Sequence, residues 1–269
     1  MKLAFSTLGC PGWSWDEIFA TAKDLGYDGI EIRGVGDEIY APNATPFNNM
    51  SIKHTVEQLT KTKMQIPMLT TGICVSNGDE ARIIKEATEY INLAEKLSAK
   101  YIRVMGDGTP QPEDKIDIDR TTKLYSQICD IAALKGIMPL IETNGYFADT
   151  ALLSEFIKSV NKPNAGVLWD IHHPYRYFKE SPAQTIKNLD GMIKYVHVKD
   201  SVTKDGDVVY RMMGYGDVPV FDALKELNAN GYNDFISLEW VKRWNPDLNE
   251  PGIVFPHFIN YMEFLIKQL

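Results

Sequence analysis

The sequence predicts an α/β protein, a (β/α)8 TIM barrel folded as a single domain over residues 1–269. Three observations carry that expectation. Short apolar runs of strand length alternate with amphipathic helical stretches along the chain; the alternation counts out eight strands, each followed by a helix; and the spacing is too even for two separate domains. With 269 residues, 44% of them hydrophobic and 24% charged, the chain can bury one large core.

Residues 2–7 read as the first strand. Ser14-Trp15-Asp16-Glu17 has the form of a capping box ahead of the helical positions Ile18, Phe19, Ala22 and Leu25, and Gly26 closes that helix. Gly29-Ile30-Glu31-Ile32-Arg33 is the second strand. The Gly/Pro/Asn-rich loop after it, 34 to about 50, is longer than a simple connection needs and long enough to cover a site. A helix over 51–64, built on Ile52, Val56 and Leu59, precedes a third strand at 65–71. A helix over 79–98 precedes the fourth, Tyr101-Ile102-Arg103-Val104-Met105.

The second half repeats the rhythm. Helices over 118–135, 150–160, 182–189 and 220–230 lead in turn to strands ending on Glu142, ending on Asp170, carrying His197 and ending on Glu239; a last helix covers 255–267. A doubly wound open sheet is the alternative, but no Gly-x-Gly-x-x-Gly follows the first strand.

Composition narrows the function. The 28 basic residues against 36 acidic ones give a net charge of −8, an unfavourable field for a nucleic-acid backbone. No signal-like or membrane-length apolar run is present, so a cytoplasmic protein with no membrane partner is expected. Cys10, Cys74 and Cys129 lack paired spacing, which points to neither disulfides nor a thiolate zinc site.

In a barrel, the last four strands are neighbours, so Glu142, Asp170, His197 and Glu239 converge on one rim. Three carboxylates and an imidazole suit one divalent metal ion, Mn²⁺, Mg²⁺, Co²⁺ or Zn²⁺, with positions left for water or substrate. The plainer reading makes each a polar strand end facing water, which four equivalent positions on adjacent strands argue against.

Trp13-Ser14-Trp15-Asp16-Glu17, Gly29-Ile30-Glu31-Ile32-Arg33, Ile141-Glu142-Thr143-Asn144, Asp170-Ile171-His172-His173, His197-Val198-Lys199-Asp200, Gly214-Tyr215-Gly216-Asp217 and Ser237-Leu238-Glu239-Trp240 together resemble the sugar-phosphate isomerase/epimerase family. This is the xylose-isomerase-like barrel superfamily, of the AP endonuclease family 2 type. The resemblance covers essentially the whole chain and implies that Glu142, Asp170, His197 and Glu239 bind one divalent metal. His173 matches the family's Asp-x-x-His and would contact a substrate oxygen. Glu31 matches a strand-end carboxylate near the pocket, although a salt bridge with Arg33 accounts for it nearly as well. Lys199 and Arg211 are candidates for holding substrate hydroxyls or an anionic group, and Trp13 for walling the pocket together with Trp15 and Trp240.

The function expected is a metal-dependent isomerase or epimerase of a sugar, sugar phosphate or related polyol-ketone, working by proton transfer through a metal-stabilised enediolate. Glu142 and Glu239 are the expected base and acid. A dehydratase acting on a keto-polyol such as an inosose or dehydroshikimate is the nearest alternative, followed by a non-catalytic sugar- or metal-binding barrel. A DNA nuclease of the same superfamily would bring further histidines to strand ends 1 to 4, and none is there. The partners expected are a small sugar-like molecule and further copies of the chain, as a homodimer or homotetramer.

Overall fold

The computed structural model describes residues 1–112 and 115–269. The chain opens with β1 (Lys2–Ser6), α1 (Trp15–Leu25) and β2 (Gly29–Glu31). The capping box forms as the sequence requires: the Ser14 side chain accepts from the Glu17 N–H, and Glu17 Oε2 accepts from the Ser14 N–H at 2.8 Å. Gly26 ends α1 at a φ of 80°, a left-handed conformation that suits a residue without Cβ.

The alternation continues through α2 (Ile52–Thr62), β3 (Met68–Cys74), α3 (Glu80–Leu97), β4 (Tyr101–Met105), α4 (Ile118–Ala133), β5 (Met138–Glu142), α5 (Thr150–Val160) and β6 (Gly166–Asp170). A short helix, α6 (His172–Phe178), then precedes α7 (Pro182–Asn188) and β7 (Ile193–Val198). An antiparallel hairpin, β8 (Asp200–Lys204) and β9 (Asp207–Arg211), follows before α8 (Val220–Ala229), β10 (Phe235–Leu238) and α9 (Pro251–Ile266) close the chain.

Two of these elements stand outside the predicted alternation. Helix α6 has only seven residues, too few to display a helical period. The hairpin turns on Asp205 and Gly206, both at positive φ, and their Asp-Gly pair is the signal in the sequence that marks it. Arg211 ends its second strand opposite Asp200.

The parallel sheet runs β2-β1-β10-β7-β6-β5-β4-β3. Its two edges meet through the bridges Gly29–Gln65 and Ile32–Leu69, so the barrel closes on a thin seam. Because strand residues alternate faces, the interior is built in steps of two. Ala4, Met68, Tyr101, Leu140, Leu168, Tyr195 and Phe235, from seven different strands, form a buried apolar cluster. Two residues further along the same strands stand Ser6, Thr70, Arg103, Glu142, Asp170, His197 and Ser237, all polar and all buried, with Glu31 completing the ring from β2. Another step of two gives Lys199 and Glu239. An apolar plug thus underlies a polar layer. The opposite strand face, with Phe5, Ile30, Ile102, Ile141, Trp169, Val196 and Ile236, packs under the helices. Among the described residues, no helix is long and apolar enough to cross a membrane.

Candidate active site

β5, β6, β7 and β10 are sheet neighbours, and the strand ends bring Glu142, Asp170, His197 and Glu239 together. Each offers one donor atom, and the four atoms lie within 4.8 Å of one another. Asp170 and His197 are register partners, and the Glu239 N–H donates to the Val198 carbonyl at 3.0 Å.

His197 is held from both sides. Its Nε2 lies 2.9 Å from Glu31 Oε2, while Nδ1 lies 3.4 Å from Glu142 Oε1 and 3.6 Å from Glu239 Oε1. Burial opposes a charged imidazole here, but the surrounding carboxylates, Glu31 first, outweigh it and hold its pKa well above the usual value. Glu31 also accepts from Thr70 Oγ1 at 2.6 Å. Burial would raise its pKa; the charge and hydrogen bond of His197 and the bond from Thr70 lower it instead.

Two cations complete the cluster. Arg103 Nη1 is 2.7 Å from Glu142 Oε2 and 3.6 Å from Glu239 Oε1, and Nη2 donates to the Thr71 carbonyl at 2.8 Å. The Lys199 ammonium bonds Asp170 and lies 2.5 Å from Glu239 Oε2. Burial pushes the Glu142 carboxyl up, but Arg103 and then His197 hold it well below the usual carboxylate range.

The donor chemistry fits a divalent cation. Two like charges about 4 Å apart repel by roughly 4 kcal/mol at an effective dielectric of about 20, so buried carboxylates this close need positive charge among them. A metal at Nδ1 would leave His197 neutral, and the carboxylates of Glu31, Glu142, Asp170 and Glu239 would then have, among the described residues, only Arg103 and Lys199 as cations within ion-pair distance. The surplus of two negative charges is what one divalent ion cancels. Glu31 engages Nε2, which leaves Nδ1 as the nitrogen facing the other donors.

A cavity of about 470 Å³ opens over the cluster and is lined by Glu142, Glu239, His173, Lys199, Arg103 and Arg33, with Tyr210 and Trp244 among its walls. That volume is in the usual range for a small-molecule site, about 300–1,000 Å³. His173 Nδ1 donates to the Thr143 carbonyl at 3.0 Å, which fixes the ring and leaves Nε2 without a partner among the described residues. Burial lowers its pKa and keeps the ring neutral, so Nε2 is an acceptor. A cavity of about 520 Å³ at the other end of the barrel, beside Lys100, Tyr101 and Asp234, holds none of these groups.

The other residues singled out in the sequence lie elsewhere. Glu31 is fully buried beneath the cavity and does not line it; the ion pair expected with Arg33 is not formed, because Glu31 points inward at His197 and Arg33 lies beyond the strand end. Trp13 packs edge-on against Phe255 at 5.7 Å rather than walling the cavity. Trp15 and Trp240 are buried, their indole N–H groups donating to Gln58 and to the Asn249 carbonyl. Arg211 bonds the Tyr210 carbonyl and is not a lining residue; its neighbour Tyr210 is. His172 sits behind the site with Nε2 2.9 Å from Ser201 Oγ.

Arg103 is the principal residue that strand-end reasoning misses. Its signal is an arginine in the middle of an otherwise apolar strand, two residues after Tyr101 on the inward face.

The comparisons with known proteins agree with this architecture. The model of the xylose isomerase-like TIM barrel family matches residues 19–254. The chain belongs to that family. Fructoselysine 3-epimerase of Escherichia coli O157:H7 is 24% identical to this xylose isomerase-like barrel over 274 aligned positions, covering 94% of each chain. Among solved structures, IolI protein with a bound zinc atom superposes with a TM-score of 0.79 at 19% identity, covering 100% of this chain and 99% of that one. D-Psicose 3-epimerase of Clostridium cellulolyticum H10 superposes with a TM-score of 0.77 at 17% identity, covering 99% of both. These structural likenesses show the fold. The named relatives include sugar epimerases, and this xylose isomerase-like barrel falls among enzymes of the isomerase and epimerase type.

Proposed function

We propose that the chain is a divalent-metal-dependent epimerase or isomerase of a ketone-bearing sugar, sugar phosphate or related polyol. The observation that carries this reading is that Glu142 and Glu239, two members of the four-residue donor set, line one cavity with His173 and Lys199. Glu142, Asp170, His197 and Glu239 would hold the metal, which supplies Lewis acidity to a ketone and its neighbouring hydroxyl when bound.

The chain's own groups move the proton. One of Glu142 and Glu239 takes it from the carbon beside the ketone, and the other returns it. Arg103, hydrogen-bonded to Glu142, favours its ionised form and so readies it to accept, and its Nη1 lies 3.6 Å from Glu239 Oε1. Return to the opposite face of the same carbon inverts it; return to the adjoining carbon exchanges aldose and ketose. His173 Nε2 accepts from a substrate hydroxyl, and the Lys199 ammonium lies where it can donate to a substrate oxygen. The epimerases among the relatives favour inversion.

The test is solvent-hydrogen exchange. Protein loaded with Mn²⁺, Co²⁺, Mg²⁺ or Zn²⁺ is incubated with ketoses in deuterium oxide, and uptake beside the ketone is read by nuclear magnetic resonance. Glu142→Gln and Glu239→Gln, with metal retained, should each lower the exchange rate by about 10²–10⁴-fold. Full exchange in both variants overturns the mechanism. Loss of water with a new conjugated absorbance makes the chain a dehydratase instead.

A further inference from the structure

The cations around the cavity are unevenly committed. Arg103 and Lys199 are bound to the carboxylates of the donor set. Near the rim, Lys242 pairs with Glu250 at 2.9 Å and donates to the carbonyls of Pro246 and Leu248, while Arg243 donates to the carbonyls of Gly36 and Pro11. Arg33 differs. It lines the cavity, and no carboxylate among the described residues comes within ion-pair distance, 4.0 Å, of its guanidinium. Glu86 and Glu239 attract it only from farther away.

Its internal bonding is sparse. Nη1 donates to the Ile39 carbonyl at a long 3.3 Å, and the remaining N–H groups of a five-donor fork have no protein acceptor among the described residues. Trp244 lies over the guanidinium with its ring centroid 5.8 Å from Cζ. On another side is Gly72, where even a Cβ would come to 3.4 Å from Nη2. The backbone is fixed as well: the Arg33 N–H donates to Thr7 Oγ1 at 2.9 Å, and Thr7 Oγ1 donates to the Gly34 carbonyl at 2.7 Å. Burial, and then repulsion from Arg103, pulls its pKa down to about 10, and an anion beside it would relieve both.

We infer that Arg33 is a specificity-determining residue that receives an anionic group, a phosphate or a carboxylate, on the substrate carbons farthest from the reacting ketone. The inference rests on the epimerase or isomerase reading for which end of the substrate lies at Glu142 and Glu239. A planar fork with open donors, stacked on an indole, matches either anion through two parallel hydrogen bonds, whereas a neutral hydroxymethyl group would use only one.

The test is calorimetric binding to metal-loaded protein with three probes that differ only at carbon six: D-fructose, D-fructose 6-phosphate and D-fructuronate. Wild type should bind at least one charged probe about tenfold or more tightly than fructose, and the tighter of the two identifies the anion. Arg33→Gln should lose that preference while keeping its metal, its affinity for the charged probe falling far more than its affinity for fructose, and Arg33→Lys should keep part of the preference. A wild type that takes neither charged probe more tightly than fructose, or a preference that survives in Arg33→Gln, overturns the inference. Deuterium uptake by the same probes separates the two ideas. Charge-selective binding without exchange removes the epimerase reading and leaves the anion site; exchange without charge selectivity does the reverse.

Discussion

Nε2 of His197 lies 2.9 Å from Oε2 of Glu31, although 166 positions separate the two residues in the chain. Both are buried, and the contact sets which imidazole nitrogen can face the other donors. Glu31→Gln keeps the shape and removes the charge that orients the ring. The variant should bind Mn²⁺ or Co²⁺ about 10–100-fold more weakly than wild type while unfolding with the same cooperativity. Competition with a chelator measures the affinity; an unchanged value would detach Glu31 from the metal site.

Glu142 makes the metal-free protein sensitive to acid. Its folded pKa lies well below the ordinary 4.5, because Arg103 and His197 overcome the burial that would raise it. The unfolded chain therefore takes up this proton more readily than the folded one. The stabilisation is fully present above pH 4.5 and is lost as pH falls through the folded value. Urea unfolding of metal-free protein from about pH 6 to about pH 3 should show a shallower acid decline for Glu142→Gln than for wild type. Equal slopes would mean that another group carries the acid limb.

The carboxylate of Asp200 gathers the loop after the hairpin, accepting from the N–H groups of Gly214 and Gly216 at 2.9 Å and of Val218 at 3.3 Å. A Cβ at Gly216 would stand 2.0 Å from Asp200 Oδ1 and 2.5 Å from the Ser201 carbonyl oxygen. Gly216→Ala should therefore cost about 1–3 kcal/mol in unfolding free energy. Because the hairpin carries Tyr210 into the cavity wall, KM should also rise. Wild-type stability in the variant would show that the loop repacks freely.

Leu168 is fully buried in the apolar plug, two residues before Asp170 on the same face. Leu168→Ala should lower stability by about 2–5 kcal/mol through lost contacts and an unfilled cavity. Metal stoichiometry should not change, since the donors are carried by the layer above. Thermal unfolding and elemental analysis read the two effects separately; loss of metal in a folded variant would tie plug and site together.

Much of this arrangement is legible in the chain. Alternation gives the barrel, and the rule that barrel chemistry sits at strand ends selects Glu142, Asp170, His197 and Glu239, whose donor atoms the fold brings within 4.8 Å of one another. What that rule passes over is depth. Arg103 lies in mid-strand, and Glu31 is aimed into the barrel rather than at its mouth, so rim positions alone pass over the first and place the second at the pocket or against Arg33. Counting inward positions by twos from Tyr101 and Gly29 finds both. Trp13, Trp244 and Tyr210 belong to loops and to the hairpin, where no period constrains which aromatic ring turns inward, and there the sequence is silent.

The plug has one more consequence. Leu140, Leu168, Tyr195 and Phe235 seal the barrel from below, so the chamber above them has a floor and no passage through the barrel to its far end. Whatever enters must leave on the side it came from. Two sugars interconverted inside would then share that side, each competing with the other's arrival, and the pace of a full cycle would depend on how quickly it clears.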